Sequence, residues 1–237
     1  MKKSKLSQVV VAAAVVATLG LTAACSGDSG SDGGDSSKDK SSAGQQGGGE
    51  EQAAPALTEA QLKKAIIGDS DVKGFKFSGQ GSEDAAPDQE KVGAECQPLG
   101  DVLSDTTDPK PKATTSKGGA DVKFSAMAYV GLAAHEQADA EKVLGNVRTA
   151  AKACKGFTDS EGVKSTVAEE TAPDAGDEAV AYRISGESDG EKMSMAVNVV
   201  RSGSTVAVFY GMSLNGKPSE IPAGLLDAQV KKLEAVK

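Results

Sequence analysis

The sequence has 237 residues, no Trp, a single His, three Cys and only 3% aromatic residues. One histidine excludes any metal site built on two histidines, and no cysteine spacing matches a zinc site. A formal net charge of −8 lacks the basic excess of proteins that bind nucleic-acid phosphates. The G-x-S-x-G, P-loop, G-x-G-x-x-G and H-E-x-x-H motifs are also absent. We therefore expect no enzymatic activity, no metal, no cofactor and no nucleic-acid partner.

The first 24 residues have the composition of a secretory signal peptide. Three lysines, Lys2, Lys3 and Lys5, precede an uncharged apolar run over residues 9–24. That order of a basic start, an apolar run and small residues before a cleavage point is typical of exported proteins. The run is shorter than the roughly 20 residues that a permanent membrane span needs. We predict a signal peptide over residues 1–24.

The segment Leu21-Thr22-Ala23-Ala24-Cys25 resembles the lipobox of bacterial lipoproteins. In that family a diacylglycerol is joined to the cysteine through a thioether, and a peptidase cuts just before it. The resemblance implies that the mature chain begins at lipidated Cys25. Its membrane partner would be the outer leaflet of the cytoplasmic membrane, because two acyl chains are enough for stable anchoring. The alternative is a plainly secreted protein.

Residues 26–56 are rich in Gly, Ser and acidic residues and contain no large apolar side chain. Such a segment cannot bury enough apolar surface to offset the entropy lost on ordering. We predict that residues 25–56 comprise the lipidated cysteine and a disordered tether. At roughly 5–6 Å × √n the tether would span about 30 Å.

Residues 57–237 carry the periodic patterns of a folded domain. Thr58 is the predicted N-cap of a first helix that ends near residue 67, with Gln61 completing a capping box. The further elements predicted are a short strand at Phe75 and Phe77, a helix near 94–104, a loop over 105–119, a strand over 122–130, a helix over 133–154, strands near 163–169, 179–187, 192–201 and 204–213, and a helix near 223–236. This order predicts one α+β domain, with a mostly antiparallel sheet and helices packed on one face.

The number of cysteines predicts one disulfide. If Cys25 carries the lipid, Cys96 and Cys154 remain as a pair in an exported, oxidising setting. Two buried free thiols are the alternative.

One face of the last three strands is a candidate binding surface. The face that carries Val180, Tyr182 and Tyr210 is bulky and is expected to pack under the helices. The other face is mostly small, and we expect Arg183, Asn198 and an exposed Phe209 to line a binding surface there. The alternatives are a simply solvated face and a site in the cleft near the Cys96 helix.

The lone histidine, His135, lies near the start of the predicted helix over 133–154. We interpret it as an exposed helix residue rather than a catalytic base.

The domain resembles the extracellular sensor domain of PknH-type actinobacterial kinases, a fold shared with many actinobacterial lipoproteins. The resemblance is carried by the segments LTEAQL at 57–62, KAC at 152–154 and GDEAVAYR at 176–183, and by the final hairpin with its C-terminal helix. The family typically has four cysteines in two disulfides around a cleft, of which this chain keeps one pair.

The resemblance implies a non-catalytic ligand-binding or sensory module at the cell surface. Its partner would be a small-molecule, lipid or cell-wall ligand, and we expect a monomer. A structural or protein-interaction lipoprotein of the cell envelope is the alternative.

Overall fold

The computed structural model describes residues 54–78, 92–121, 126–158, 162–188, 190–213 and 218–236. The chain divides into two units, Met1–Gly49 and Glu50–Lys237, and every described residue belongs to the second. The predicted signal peptide, Cys25 and residues 26–53 lie outside the described residues. Among the helices that are described, none is long and apolar enough to cross a membrane.

Eight strands form a single antiparallel sheet. The strands are β1 (Phe75–Ser78), β2 (Ala113–Asp121), β3 (Ala126–Ala134), β4 (Gly156–Thr158), β5 (Lys164–Glu170), β6 (Glu178–Ser188), β7 (Glu191–Ser202) and β8 (Thr205–Ser213). Their order across the sheet is β1-β2-β3-β8-β7-β6-β5-β4. The helices are α1 (Glu59–Ala65), α2 (Gln97–Leu103), α3 (Gln137–Ala153) and α4 (Leu225–Glu234). The α+β class, the antiparallel sheet and the hairpin meander of β6, β7 and β8 confirm the sequence prediction.

The first helix begins where its capping residues predict. The Thr58 hydroxyl accepts a hydrogen bond from the backbone N–H of Gln61 at 3.3 Å, and Gln61 Oε1 accepts from the backbone N–H of Thr58 at 2.9 Å. The helix ends at Ala65, earlier than the predicted residue 67. The reason is a tertiary contact, because the backbone N–H of Ile67 donates to Oε1 of the buried Gln229 on α4 at 2.9 Å.

The helices pack on both faces of the sheet, so the prediction of a single covered face was wrong. Val199 and Val208 lie in the core formed with α2 and α3, whereas their chain neighbours Val200 and Phe209 lie in a second core formed with α1 and α4. Strands buried on both faces carry nearly continuous apolar runs instead of alternation. The run from Val206 to Tyr210 is of that kind.

Two strands were not predicted. The strand β2 falls in the predicted loop over 105–119, because its Thr, Ser, Lys and Gly residues carry no apolar alternation. It nevertheless pairs with β3 from Ala113↔Ala134 to Ala120↔Met127. The short β4 pairs with β5 at the far edge of the sheet. The strand predicted over 122–130 is β3, which extends to Ala134, and residues 122–125 lie outside the described part.

The disulfide between Cys96 and Cys154 joins α2 to α3, and this confirms the predicted pair. Cys96 is the N-cap of α2 and Cys154 is the C-cap of α3, and their Cα atoms are 4.9 Å apart. Both cysteines are buried in the core on the α3 side of the sheet. The bond fixes one end of the short α2 against the longest helix.

The described chain makes tertiary contacts before residue 57, where the domain was predicted to begin. The backbone N–H of Ala54 donates to Gln137 Oε1 at 2.9 Å, and the Ser204 hydroxyl donates to the backbone oxygen of Pro55 at 2.8 Å. The last residues of the predicted tether are therefore fixed beside the start of α3 and the turn between β7 and β8.

His135 is fully buried, and the prediction of an exposed helix residue was wrong. It precedes α3 in the connection from β3, where its backbone N–H donates to the backbone oxygen of Ser204 at 2.8 Å. Burial lowers the pKa of its imidazole, and Asp139 partly opposes that shift. The residue is neutral and belongs to the packed interior.

Candidate functional site

Phe209 does not lie on an open surface. Its side chain has no solvent exposure and packs in the core with α1 and α4, so the prediction of an exposed aromatic was wrong. Chain from beyond the sheet also covers this face near Gly211. A Cβ built on Gly211 would lie only 2.2 Å from the backbone oxygen of Glu220.

The two polar residues predicted with Phe209 lie on the same covered face. Asn198 is half-buried and stands directly opposite Phe209 in the β7–β8 register. Arg183 pairs with Glu170, with 2.6 Å from Nε to Oε1, and its Nη1 donates to the backbone oxygen of Ser219 at 2.7 Å. The Arg183 guanidinium thus holds this chain together instead of facing solvent.

Two stacked tyrosines are exposed in part on the opposite face of the sheet. Tyr129 on β3 and Tyr210 on β8 are direct register partners, with ring centroids 4.5 Å apart and ring planes at 11°. Both side chains are half-buried, and Tyr129 forms a side-chain hydrogen bond with Ser116 on β2. Stacked aromatic faces that stay accessible are typical of recognition surfaces.

Asp105 lies beside this pair, shortly after the end of α2. Its backbone is left-handed, with φ of 55°, a conformation that Asp and Asn tolerate better than most residues. Gly131 lies between these groups, and its lack of a side chain lets them approach each other, because a Cβ there would lie 3.2 Å from the Tyr129 ring and 3.7 Å from Asp105 Oδ1. We call Asp105, Tyr129, Gly131 and Tyr210 the tyrosine cluster.

The charge on Asp105 has no counter-charge in the described part of the chain. No hydrogen-bond donor or cation among the described residues pairs with its carboxylate. Burial raises the pKa of the Asp105 carboxyl to about 6. Burial also raises the pKa of both phenols, and the nearby Asp105 charge raises these pKa values further.

A row of methionines continues this face of the sheet. On neighbouring strands, Met212 of β8 pairs with Met127 of β3 on one side and with Met195 of β7 on the other. Each methionine lies two residues along its strand from Tyr210, Tyr129 or Val197, which pair with one another in the same way. Met193 follows on the same face of β7, and Met127 and Met193 are 41% and 51% exposed. We call these four side chains the methionine row. Thioether side chains give an adaptable apolar surface.

A recess lies between α2 and α3, and we call it the helix cleft. Its volume is about 210 Å³. Asp101 and Asp108 contribute carboxylates, while Val143 and Val147 on α3 contribute apolar side chains. It corresponds to the cleft near the Cys96 helix that the sequence offered as the alternative site. Within the described ranges, no group of three or more His, Cys, Asp or Glu side chains is arranged to hold a metal ion.

Sequence reasoning did not find the tyrosine cluster. It assigned Tyr210 to the core and placed Asp105 in a polar loop. The one sequence feature that could have pointed to the cluster is the small number of tyrosines, because the chain contains three in all. The third, Tyr182, is fully buried in the core, where its hydroxyl donates to the backbone oxygen of Leu99 at 3.4 Å. Tyr129 and Tyr210 are the two that reach the surface.

The fold defines an α+β domain in which two pairs of helices enclose an antiparallel sheet. A solved structure of this kind is the extracellular domain of PknH from Mycobacterium tuberculosis. It matches with a TM-score of 0.50 and 11% sequence identity, over 76% of this chain and 97% of that chain. A second match, an uncharacterized protein (Rv0999 ortholog) from Mycobacterium smegmatis, has a TM-score of 0.36 and 13% identity, over 75% of this chain and 92% of that one.

No protein-family model matches the chain, and no curated protein matches it either. The solved structure shows that the described domain shares its fold with the extracellular domain of PknH, and this confirms the resemblance of fold expected from the sequence. At 11% identity the likeness is one of fold.

Proposed function

We propose that this chain is a non-catalytic ligand-binding or sensory module of the cell envelope. In this proposal Cys25 carries diacylglycerol, which anchors the protein to the outer leaflet of the cytoplasmic membrane. The apolar leader and lipobox at 21–25 support export and anchoring. The likeness of fold to an extracellular domain agrees with that location.

The observation that carries the binding role is the tyrosine cluster. A half-buried carboxylate without a counter-charge costs stability, and so does an aromatic pair left partly in water. Asp105 and the stacked Tyr129 and Tyr210 combine both costs at one place. A ligand that covers the exposed part of this cluster would offset both.

The protonation states favour recognition over catalysis. Both phenols have raised pKa values, so they stay protonated at neutral pH and act as hydrogen-bond donors. Raised pKa values move the two phenols away from neutral pH, so neither is suited to transfer a proton there, and Asp105 has no acid–base partner among them. The disulfide also removes both described cysteines from nucleophilic chemistry.

A ligand screen with a blocked site tests the binding role. Lipids, glycans and cell-wall fragments are screened for a rise in melting temperature, since a ligand stabilises the state that binds it. Gly131→Ala places a methyl group 3.2 Å from the Tyr129 ring and should abolish the response. Gly145→Ala on α3 is the matched control, because a Cβ there meets nothing within 4 Å.

The outcomes separate the two function classes. A compound that stabilises the wild type and Gly145→Ala but leaves Gly131→Ala unchanged supports the proposal. Compounds that stabilise all three proteins equally bind elsewhere and overturn this site. A screen without hits favours the structural or protein-interaction lipoprotein.

A further inference from the structure

Resting on the proposed function, we infer that the ligand is a cationic amphiphile. Its protonated amine lies against the Asp105 carboxylate and the tyrosine pair, and its apolar part runs along the methionine row. The tyrosine cluster would bind the amine, and the methionine row would bind the apolar part.

The Asp105 carboxylate favours a ligand with a positive charge. The groups that face Asp105 are neutral, namely the phenols of Tyr129 on β3 and Tyr210 on β8. The neighbouring strand β2 adds the Ser116 hydroxyl, which is hydrogen-bonded to Tyr129, while the next residue Lys117 acts on Asp71 on the other face of the sheet. A half-buried carboxylate such as that of Asp105 is stabilised in its charged form by a cation beside it. A ligand ammonium would supply the missing charge.

The aromatic pair suits the same group. A cation that approaches an aromatic face is attracted by the ring quadrupole, and this attraction grows when water is excluded. Stacked Tyr129 and Tyr210 present such a surface beside the Asp105 carboxylate. An anionic head group would instead meet the Asp105 charge and a chain with a net charge of −8.

The methionine row fits an alkyl chain. From Gly131 to Met127 the strand β3 covers about 14 Å at a rise of roughly 3.4 Å per residue. Along that path one face presents Tyr129 with Tyr210 and then Met127 with Met212. Methionine repacks readily around ligands of different shape, so this row can accept a flexible chain.

A matched series of octyl compounds tests the class of ligand. Octylamine, 1-octanol and octanoate share one chain and differ only in the head group. Because the protein lacks Trp and two of its three tyrosines belong to the cluster, tyrosine fluorescence of the full chain reports binding. At pH 7.5 octylamine should bind at least about tenfold more tightly than the alcohol or the carboxylate. Butylamine, which lacks most of the apolar part, should bind more weakly than octylamine.

Protonation of Asp105 gives a second signature. Its pKa of about 6 predicts that octylamine affinity falls about tenfold from pH 7.5 to pH 5 as the carboxylate takes up a proton. Asp105→Asn should remove both the preference for the amine and this pH dependence. Asparagine suits the left-handed backbone, so the variant should fold. The control is Asp174→Asn, which neutralises an exposed carboxylate and should bind octylamine like the wild type.

Each outcome bears on a separate proposal. Equal binding of octylamine and octanol overturns the cationic class and leaves the binding role standing. No saturable binding of octylamine also overturns the class, even if the ligand screen finds another compound that Gly131→Ala excludes. Equal affinity of butylamine and octylamine overturns the role of the methionine row.

Discussion

The guanidinium of Arg183 donates a hydrogen bond to the backbone oxygen of Ser219 at 2.7 Å, 36 residues further along the chain. The hydroxyl groups of Ser194 and Ser219 also lie 3.2 Å from Arg183 Nη1. Ser219 is only 1% exposed, and the next residue Glu220 rests on Gly211 of β8. Arg183 therefore fixes the chain that covers one face of the sheet.

Removal of this guanidinium should loosen the covering chain. In Arg183→Met the apolar stem is kept and the hydrogen bonds to Ser219 are lost, so we expect a loss of about 1–2 kcal/mol in the free energy of unfolding. Hydrogen exchange at residues 219–221 should accelerate in parallel. Arg148→Met, which breaks a surface ion pair with Glu178 at 40% and 39% exposure, should cost less than about 1 kcal/mol. Equal losses in the two variants would contradict this role for Arg183.

Gly211 and Gly145 should respond to alanine in opposite directions. A Cβ at Gly211 would meet the Glu220 backbone oxygen at 2.2 Å, so Gly211→Ala must displace this chain and should cost more than about 2 kcal/mol. Gly145→Ala adds a methyl group to open space in α3 and should stabilise the protein by about 0.5–1 kcal/mol. Denaturant unfolding measures both. A Gly211→Ala variant as stable as the wild type would show that the covering chain is not in contact there.

Local signals in the sequence were sufficient where local interactions decide the structure. The Thr58 and Gln61 side chains cap α1 as their spacing predicts, and the glycines of the β-turns precede strands found close to the predicted positions. The side of the sheet that each helix covers was not predictable in this way. Phe209 is buried by α1, α4 and their neighbours. The apolar pattern of its strand cannot show which helices pack against that face.

The tyrosine cluster shows the same limit at the level of the site. Asp105 stands in a segment of Ser, Asp and Thr that is typical of a loop. Its carboxylate lies beside Gly131 and Tyr129 of β3, and its charge acts on Tyr210 of β8, and both strands follow later in the chain. Only the tertiary fold joins the carboxylate to the rings.

The disulfide should contribute strongly to stability. It closes a separation of 58 residues, for which the chain-entropy model gives at most about 4 kcal/mol. The double variant Cys96→Ala/Cys154→Ala should lose stability of this order in denaturant unfolding, and a reductant should have no further effect on it. Peptide mapping under non-reducing conditions checks the bond itself. Two alkylatable thiols in the native exported protein would contradict it.

Cys25 should decide whether the protein stays with the membrane. In Cys25→Ala the thioether to diacylglycerol cannot form, so the protein should move from the detergent phase to the aqueous phase in detergent partitioning. Cys96→Ala/Cys154→Ala is the control, because those cysteines serve the disulfide and their loss should leave partitioning unchanged. Retention of a processed Cys25→Ala chain in the membrane would rule out the lipid anchor.

Asp105 should make the free protein less stable as the pH rises. The pKa of the Asp105 carboxyl is about 6 in the folded state, against its ordinary value of 3.8, so the folded state holds the proton more tightly than the unfolded chain. Well below pH 3.8 the carboxyl is protonated in both states and costs no stability, whereas well above pH 6 it is ionised in both states and the full loss of stability is present. A displacement of this size corresponds to at most about 3 kcal/mol. Asp105→Asn should therefore be more stable than the wild type at pH 7.5, with the difference vanishing near pH 3.5.

The matched comparison for this effect is Asp174→Asn. Asp174 is exposed, so its neutralisation should leave the pH dependence of unfolding unchanged. Denaturant unfolding at several pH values between 3.5 and 8 measures all three proteins. A constant difference between Asp105→Asn and the wild type across that range would mean that Asp105 does not titrate with a raised pKa. A difference that grows between pH 4 and pH 6 would show that the fold retains a costly carboxylate, as expected of a residue kept for binding rather than stability.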